Sequence, residues 1–95
     1  MRIRIKENSL IARVAAWKLD SDKMAIVIGK TIHLHNVSRK EFLENQRWVK
    51  HELEHIRQYR RYGLISFIVR YLVESYKNGY SNNKYERQAR AAEEY

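Results

Sequence analysis

Charged and apolar residues alternate over residues 2–6, with Ile3 and Ile5 set between Arg2, Arg4 and Lys6, and this period of two predicts a short strand. Asn8 or Ser9 then offers a helix cap, and Leu10, Ile11, Val14 and Trp17 recur at helical spacing as the apolar face of a helix ending near Leu19. Two β-rich runs follow at 23–28 and 31–35, joined by Gly29-Lys30. Glycine in the first turn position suits a type II′ hairpin. The first run is apolar on both faces. The second sets Ile32 and Leu34 against Thr31, His33 and His35, which predicts a half-exposed strand at the sheet edge, able to accept a peptide.

Ser38-Arg39-Lys40-Glu41 reads as a capping box, and Phe42, Val49, Leu53 and Ile56 carry an apolar stripe toward Gly63, with a break expected near Asn45. Leu64 to Lys77 predicts another helix, apolar at Leu64, Ile65, Ile68, Tyr71 and Leu72, with Gly79 at its C-terminal cap. A last helix starts from Ser81-Asn82-Asn83. The predicted fold class is α+β, a short β-hairpin or small sheet packed on three to four helices, with residues 1–95 as a single domain.

Composition supports one core: 44% of the 95 residues are hydrophobic, among them seven Tyr, two Trp and two Phe. Cysteine is absent, so disulfides and thiolate metal sites are excluded, and any metal rests on His, Asp or Glu. The N-terminus lacks the continuous apolar stretch of a secretory signal, which leads to the expectation of a cytoplasmic protein. No apolar run approaches the roughly 18 residues of a membrane span. The net charge of +8 favours polyanionic partners, nucleic acid among them, but the basic residues are spread along the chain with only short clusters such as Arg57 to Arg61. A solvated basic surface is the plainer reading.

Within the predicted helix, Trp48-Val49-Lys50-His51-Glu52-Leu53-Glu54-His55 contains His-Glu-x-x-His. Four-residue spacing puts the two imidazoles on one helix face, one turn apart, where both can ligate one zinc ion. Glu52 follows the first ligand and can act as general base toward a water acidified by zinc. A hydrolytic zinc site takes a third protein ligand, and two glutamates compete for that place, Glu86 and Glu74. Each also has a purely structural reading, Glu86 in a capping box with Asn83 and Glu74 in an ion pair with Arg70. Trp48 and Tyr59 flank the histidine face and suggest a lined cleft. His33 and His35 share one strand face and are read as surface residues rather than ligands.

The order of hairpin, His-Glu-x-x-His helix and later glutamate resembles the gluzincin metallopeptidases. The chain looks closer to minimal gluzincin-like families of little-characterised bacterial proteins than to the large enzymes of that clan, through segments similar to Trp48 to Tyr62 and to Tyr85-Glu86-Arg87-Gln88-Ala89-Arg90. The resemblance implies His51 and His55 as zinc ligands, Glu86 as the third and Glu52 as general base. It also implies that the outer strand of the hairpin pairs with substrate. The position of Glu74 is similar to the aminopeptidase branch instead. Tyr76, Tyr80 and Tyr85 are the candidates for stabilising an oxyanion. The expected function is zinc-dependent hydrolysis of peptide bonds in a peptide or protein substrate. A basic nucleic-acid-binding module and a non-catalytic zinc-binding scaffold are the alternatives.

Overall fold

The computed structural model describes residues 2–94, which run β1 (Arg4–Lys6), α1 (Leu10–Lys18), β2 (Met24–Ile28), β3 (Thr31–His35), α2 (Arg39–Glu44), α3 (Gln46–Tyr62), α4 (Leu64–Asn78) and α5 (Lys84–Ala92). The fold is α+β, a three-stranded sheet with five helices.

Local chemistry sets most of the boundaries. Ser9 caps α1 by accepting from Ala12 N, and Ser38 caps α2 by accepting from Glu41 N at 3.0 Å. The Glu41 carboxylate does not reach back to complete the box, because it pairs with Lys23. The break at Asn45 is real. Its side chain accepts from Trp48 N at 3.1 Å and starts α3 afresh, which splits one predicted helix into two. Gly29 takes the positive φ of the hairpin turn (65°) and Lys30 does not, as the type II′ geometry requires. Among the described residues, no helix is long and apolar enough to cross a membrane.

The strand order β1-β3-β2 corrects the expected edge. β3 is central, paired antiparallel with β2 (Val27 opposite Ile32) and parallel with β1 (Ile5 opposite Ile32). The hairpin's first strand, β2, is therefore the edge on that side. Its apolar character on both faces misleads, because an edge strand that both α1 and α3 contact, and whose five residues all line a cleft, is apolar throughout like a central one.

One sheet face carries Val27, Ile32 and Leu34 into the main core, where they meet Phe42, Ile56, Tyr59, Phe67 and Tyr85. Phe67 anchors this cluster, edge-to-face with Tyr59 at 4.6 Å and Tyr85 at 5.1 Å. Side chains of this size stabilise by roughly 1.5–3 kcal/mol each when fully buried. The Tyr59 hydroxyl donates to Val27 O at 3.0 Å and so ties α3 to β2.

One predicted apolar face turns out to point toward solvent and a second does so in part. Helix α1 lays Ala12 and Ala16 on the sheet, leaving Leu10, Ile11, Val14 and Trp17 exposed, with Trp17 at 82%. The alanines win because they let the helix backbone approach closely, and Ser9 accompanies them by bonding His33 Nδ1 at 2.8 Å. His33 is accordingly buried, not a surface residue; His35 is half-buried. In α4 the buried contact is Phe67, with Ile68 and Tyr71 beside it, whereas Leu64, Ile65 and Leu72 are exposed. Leu53 on α3 is exposed as well.

Candidate metal centre

The amphipathic face of α3 carries His51, Glu52, His55 and Tyr59 to one side, against α5. Helix α5 is fixed by Asn83, which is fully buried. Its Oδ1 accepts from Tyr85 N at 2.8 Å, and its Nδ2 donates to Ser75 Oγ at 2.8 Å and Tyr71 O at 3.1 Å. One side chain thus caps α5 and ties it to α4. The first turn of α5 then presents Glu86 to the two histidines, and no part of a reciprocal capping box is left for that carboxylate.

His51 Nε2 and His55 Nε2 each lie 3.1 Å from Glu86 Oε1. These three ligand atoms lie within 4.8 Å of one another, and they form the one such group of three or more among the described residues. His55 and Glu86 are buried and His51 half-buried. The cluster could hold a metal ion.

The other ring nitrogens decide what the cluster can bind. Gln58 donates through Nε2 to Tyr85 O (3.1 Å) and Gln88 Oε1 (3.0 Å), so its Oε1 accepts, and His55 Nδ1 at 2.9 Å is the donor. His51 Nδ1 donates in the same way to Glu93 Oε2 at 2.7 Å, and Arg47 holds Glu93 and Glu94 from the far side. With both Nδ1 atoms protonated, neutral rings would aim two Nε2 lone pairs at a carboxylate oxygen. That arrangement requires positive charge between them, supplied by protons or by a cation.

The titration behaviour agrees. Burial disfavours charge on His51, but its hydrogen bonds to Glu86 and Glu93 and the charges of Glu52 and Glu86 outweigh it and push the pKa up to about 9. His55 is raised too, against its burial, chiefly by Glu86. Burial would raise Glu86, yet its bonds from His51, His55 and Tyr71 hold it well below the usual carboxylate range. The Tyr71 hydroxyl donates to Glu86 Oε2, leaving Oε1 for the histidine side. Burial, followed by the charge of Glu86, keeps Tyr71 protonated far into the alkaline range.

Glu52 is buried beside the cluster without belonging to it. Burial pushes its carboxyl up to about 7, against the lowering influence of His55, His51 and the Trp48 side chain. A carboxyl that titrates near neutrality is suited to accept and return a proton.

The centre opens into a cleft of about 280 Å³ floored by His51, Glu52, His55 and Glu86. Its walls are mostly apolar: β2 on one side, Ile68 and Leu72 of α4 on the other, and Leu19 at one end. Tyr59 lines the cleft. Trp48 lines a second recess that also reaches His51, Glu52 and Tyr80.

Of the residues singled out in the sequence, His51, Glu52, His55 and Glu86 come together. Glu74 does not; it accepts from Asn78 Nδ2 at 2.8 Å and Lys84 N at 3.2 Å, so it serves the start of α5. Its expected partner Arg70 bonds Ser66 and stacks over Tyr62 instead. Among the tyrosine candidates only Tyr80 lines the cleft; Tyr85 belongs to the core and Tyr76 is exposed. Sequence reasoning missed Gln58, Tyr71 and Glu93. Two of them carried a signal, since Gln58 follows His55 by three residues and Glu93 follows Glu86 by two helical turns, each on the same helix face as its partner. Comparison with family models, with curated proteins and with solved structures gives no match to this chain.

Proposed function

We propose that the protein is a zinc-dependent peptidase, with His51, His55 and Glu86 as metal ligands and Glu52 as general base. The observation that carries this reading is the convergence of two Nε2 atoms and one carboxylate oxygen, with both Nδ1 atoms already committed to acceptors. Two imidazoles and a carboxylate are a common zinc donor set, and three protein ligands leave one coordination position for chemistry. Bound zinc supplies Lewis acidity and a water whose pKa falls to about 7.

The remaining roles belong to the chain. Glu52 accepts the proton of the attacking water and delivers it to the leaving amine; its pKa near neutrality serves both transfers. Tyr80 keeps its proton, as burial raises its pKa to about 12, and reaches the cleft as a hydrogen-bond donor for a carbonyl that gains charge. β2 borders the centre with an unpaired edge, so an extended substrate can add to it as a strand with its side chains against the apolar walls.

Zinc content of protein purified without added metal tests the site. About one equivalent is expected in the wild type and in Glu74→Ala, with loss in His51→Ala and Glu86→Ala. Glu52→Gln tests the chemistry, since it should retain zinc and lose at least a hundredfold in turnover of a peptide library. Wild type that takes up no zinc even when the metal is added sinks the reading. A Glu52→Gln protein with undiminished function in the cell points to a non-catalytic scaffold.

A further inference from the structure

The sheet has a second edge, on the side away from β2, and its chemistry differs from that of the cleft. Among the described residues, strand β1 pairs only with β3. Arg4 donates its backbone N–H to Lys30 O, so by alternation the N–H and C=O groups of Ile3 and Ile5 face away from the sheet. The side chains of Arg4 and Lys6 share a face with Thr31 and His33, their register partners on β3.

Together with Arg2 and, from the start of α2, Arg39, these residues line a shallow groove along the strand, and no carboxylate lines it. The nearby acid Glu7 is engaged in accepting the backbone N–H of Arg39. None of the four cationic side chains forms an ion pair among the described residues. The remaining lining residues, Ile3 and Ile5, are aliphatic. The groove shares no lining residue with the metal cleft.

A row of like charges beside an open strand edge selects its ligand. Single-stranded nucleic acid is held by a cationic groove together with aromatic side chains on which bases stack; among the described residues no Phe, Tyr or Trp lines this groove, and its one imidazole, His33, is buried and bonded to Ser9. A polypeptide strand satisfies both features at once. Its backbone can bond the outward groups of Ile3 and Ile5, and its alternate side chains repeat at roughly 6.6 Å, the spacing of Arg2, Arg4 and Lys6.

We propose that the β1 edge is a docking site for an extended acidic peptide with Asp or Glu at alternate positions, which adds to the sheet as a fourth strand. The site is independent of the metal centre and of any hydrolysis there.

The test is fluorescence anisotropy with a labelled eight-residue peptide of alternating Glu and Thr. The same peptide N-methylated at alternate residues and an eight-nucleotide single-stranded DNA serve as comparisons. The alternating peptide should bind at least tenfold more tightly than either, and the amides of Ile3 and Ile5 should gain protection from hydrogen exchange on binding. Arg4→Glu/Lys6→Glu should weaken binding at least tenfold. The milder pair Arg4→Gln/Lys6→Gln, which spares the fold from charge reversal, should weaken it severalfold. Equal binding of the N-methylated peptide overturns strand addition, and tighter binding of the DNA overturns the choice of ligand. Unchanged affinity in a folded Arg4→Gln/Lys6→Gln protein overturns the site itself.

Discussion

Glu93 Oε2 accepts the Nδ1 proton of His51 at 2.7 Å, while Nε2 on the opposite side of the same ring faces Glu86 Oε1 at 3.1 Å. One imidazole is thereby held between two carboxylates of α5 and its C-terminal end, one fixing the tautomer and the other sharing the ligand cluster. Carboxylates placed in this way raise ligand basicity and orient the ring. Glu93→Ala should weaken metal binding roughly 10- to 100-fold, measured by competition with a chromogenic chelator. Gln58→Leu should act similarly through His55, and it also removes the bonds from Gln58 to Tyr85 O and Gln88 Oε1 on α5.

Protons and metal compete for the same nitrogen atoms. His51 titrates at about 9 in the metal-free protein, so metal uptake at neutral pH must expel its proton. Apparent affinity should therefore rise about tenfold per pH unit from pH 7 toward 9 and then level off. Calorimetry in buffers of different ionisation enthalpy should register at least one proton released per metal bound.

Stability of the metal-free protein should carry the same signature. A group whose pKa is raised on folding, as His51 is from 6.5 to about 9, contributes stability that is fully present below about 6.5 and lost as pH rises through about 9. Glu52, raised from 4.5 to about 7, acts in the same sense, losing its contribution as pH rises through about 7. Glu86 acts in the opposite sense, since its depressed pKa contributes stability present above 4.5 and lost on strong acidification. With chelator present, melting should fall between pH 6.5 and 9 by roughly 10 °C, equivalent to about 2 kcal/mol in a domain of this size. Saturating metal should flatten that slope. A flat profile in chelator would contradict the protonated-histidine description.

Asn83→Ala should cost roughly 2 kcal/mol, read by chemical denaturation, because the cap of α5 is lost together with the two bonds that tie it to Tyr71 O and Ser75 Oγ of α4. Metal affinity should fall as well, since Glu86 sits three residues along the helix that Asn83 anchors.

Side-chain size is a poor guide to importance in α1. Trp17→Ser should change stability by no more than about 0.5 kcal/mol, whereas Phe67→Ala should cost roughly 3–5 kcal/mol in the same denaturation assay.

Much of the architecture was legible in the chain because local chemistry announces it: the Ser9, Ser38, Asn45 and Asn83 caps, the Gly29 turn, and the periodicity of α3. The cluster of His51, His55 and Glu86 was legible for the same reason, since helical spacing and residue type picked out the two histidines and left a short choice of glutamates to join them. What stayed hidden depends on tertiary contacts. Helix α1 is apolar or small nearly all round, so its sequence could not show that the Ala12–Ala16 side meets the sheet. The place of β3 in the middle depends on β1 pairing with it across the whole of α1 and β2, a partnership that no alternation within Thr31–His35 can reveal. The role of Tyr71 and the bonds of Asn83 into α4 arise only where α4 meets α5.

His55 and Glu86 stand 31 residues apart in sequence, yet they converge on one point with all of α4 looped out between them. In a chain without a single cysteine, an ion held there is the covalent staple's substitute, closing a loop that the unfolded chain must otherwise leave open. Cross-linking a loop of that length by a disulfide restricts the denatured ensemble by roughly 3 to 4 kcal/mol, a sizeable share of what a domain this small can muster. Removing an ion bound there should therefore loosen the connection between α3 and α5 as a whole, so that the atoms proposed as ligands would also be the fastening of the C-terminal third of the molecule.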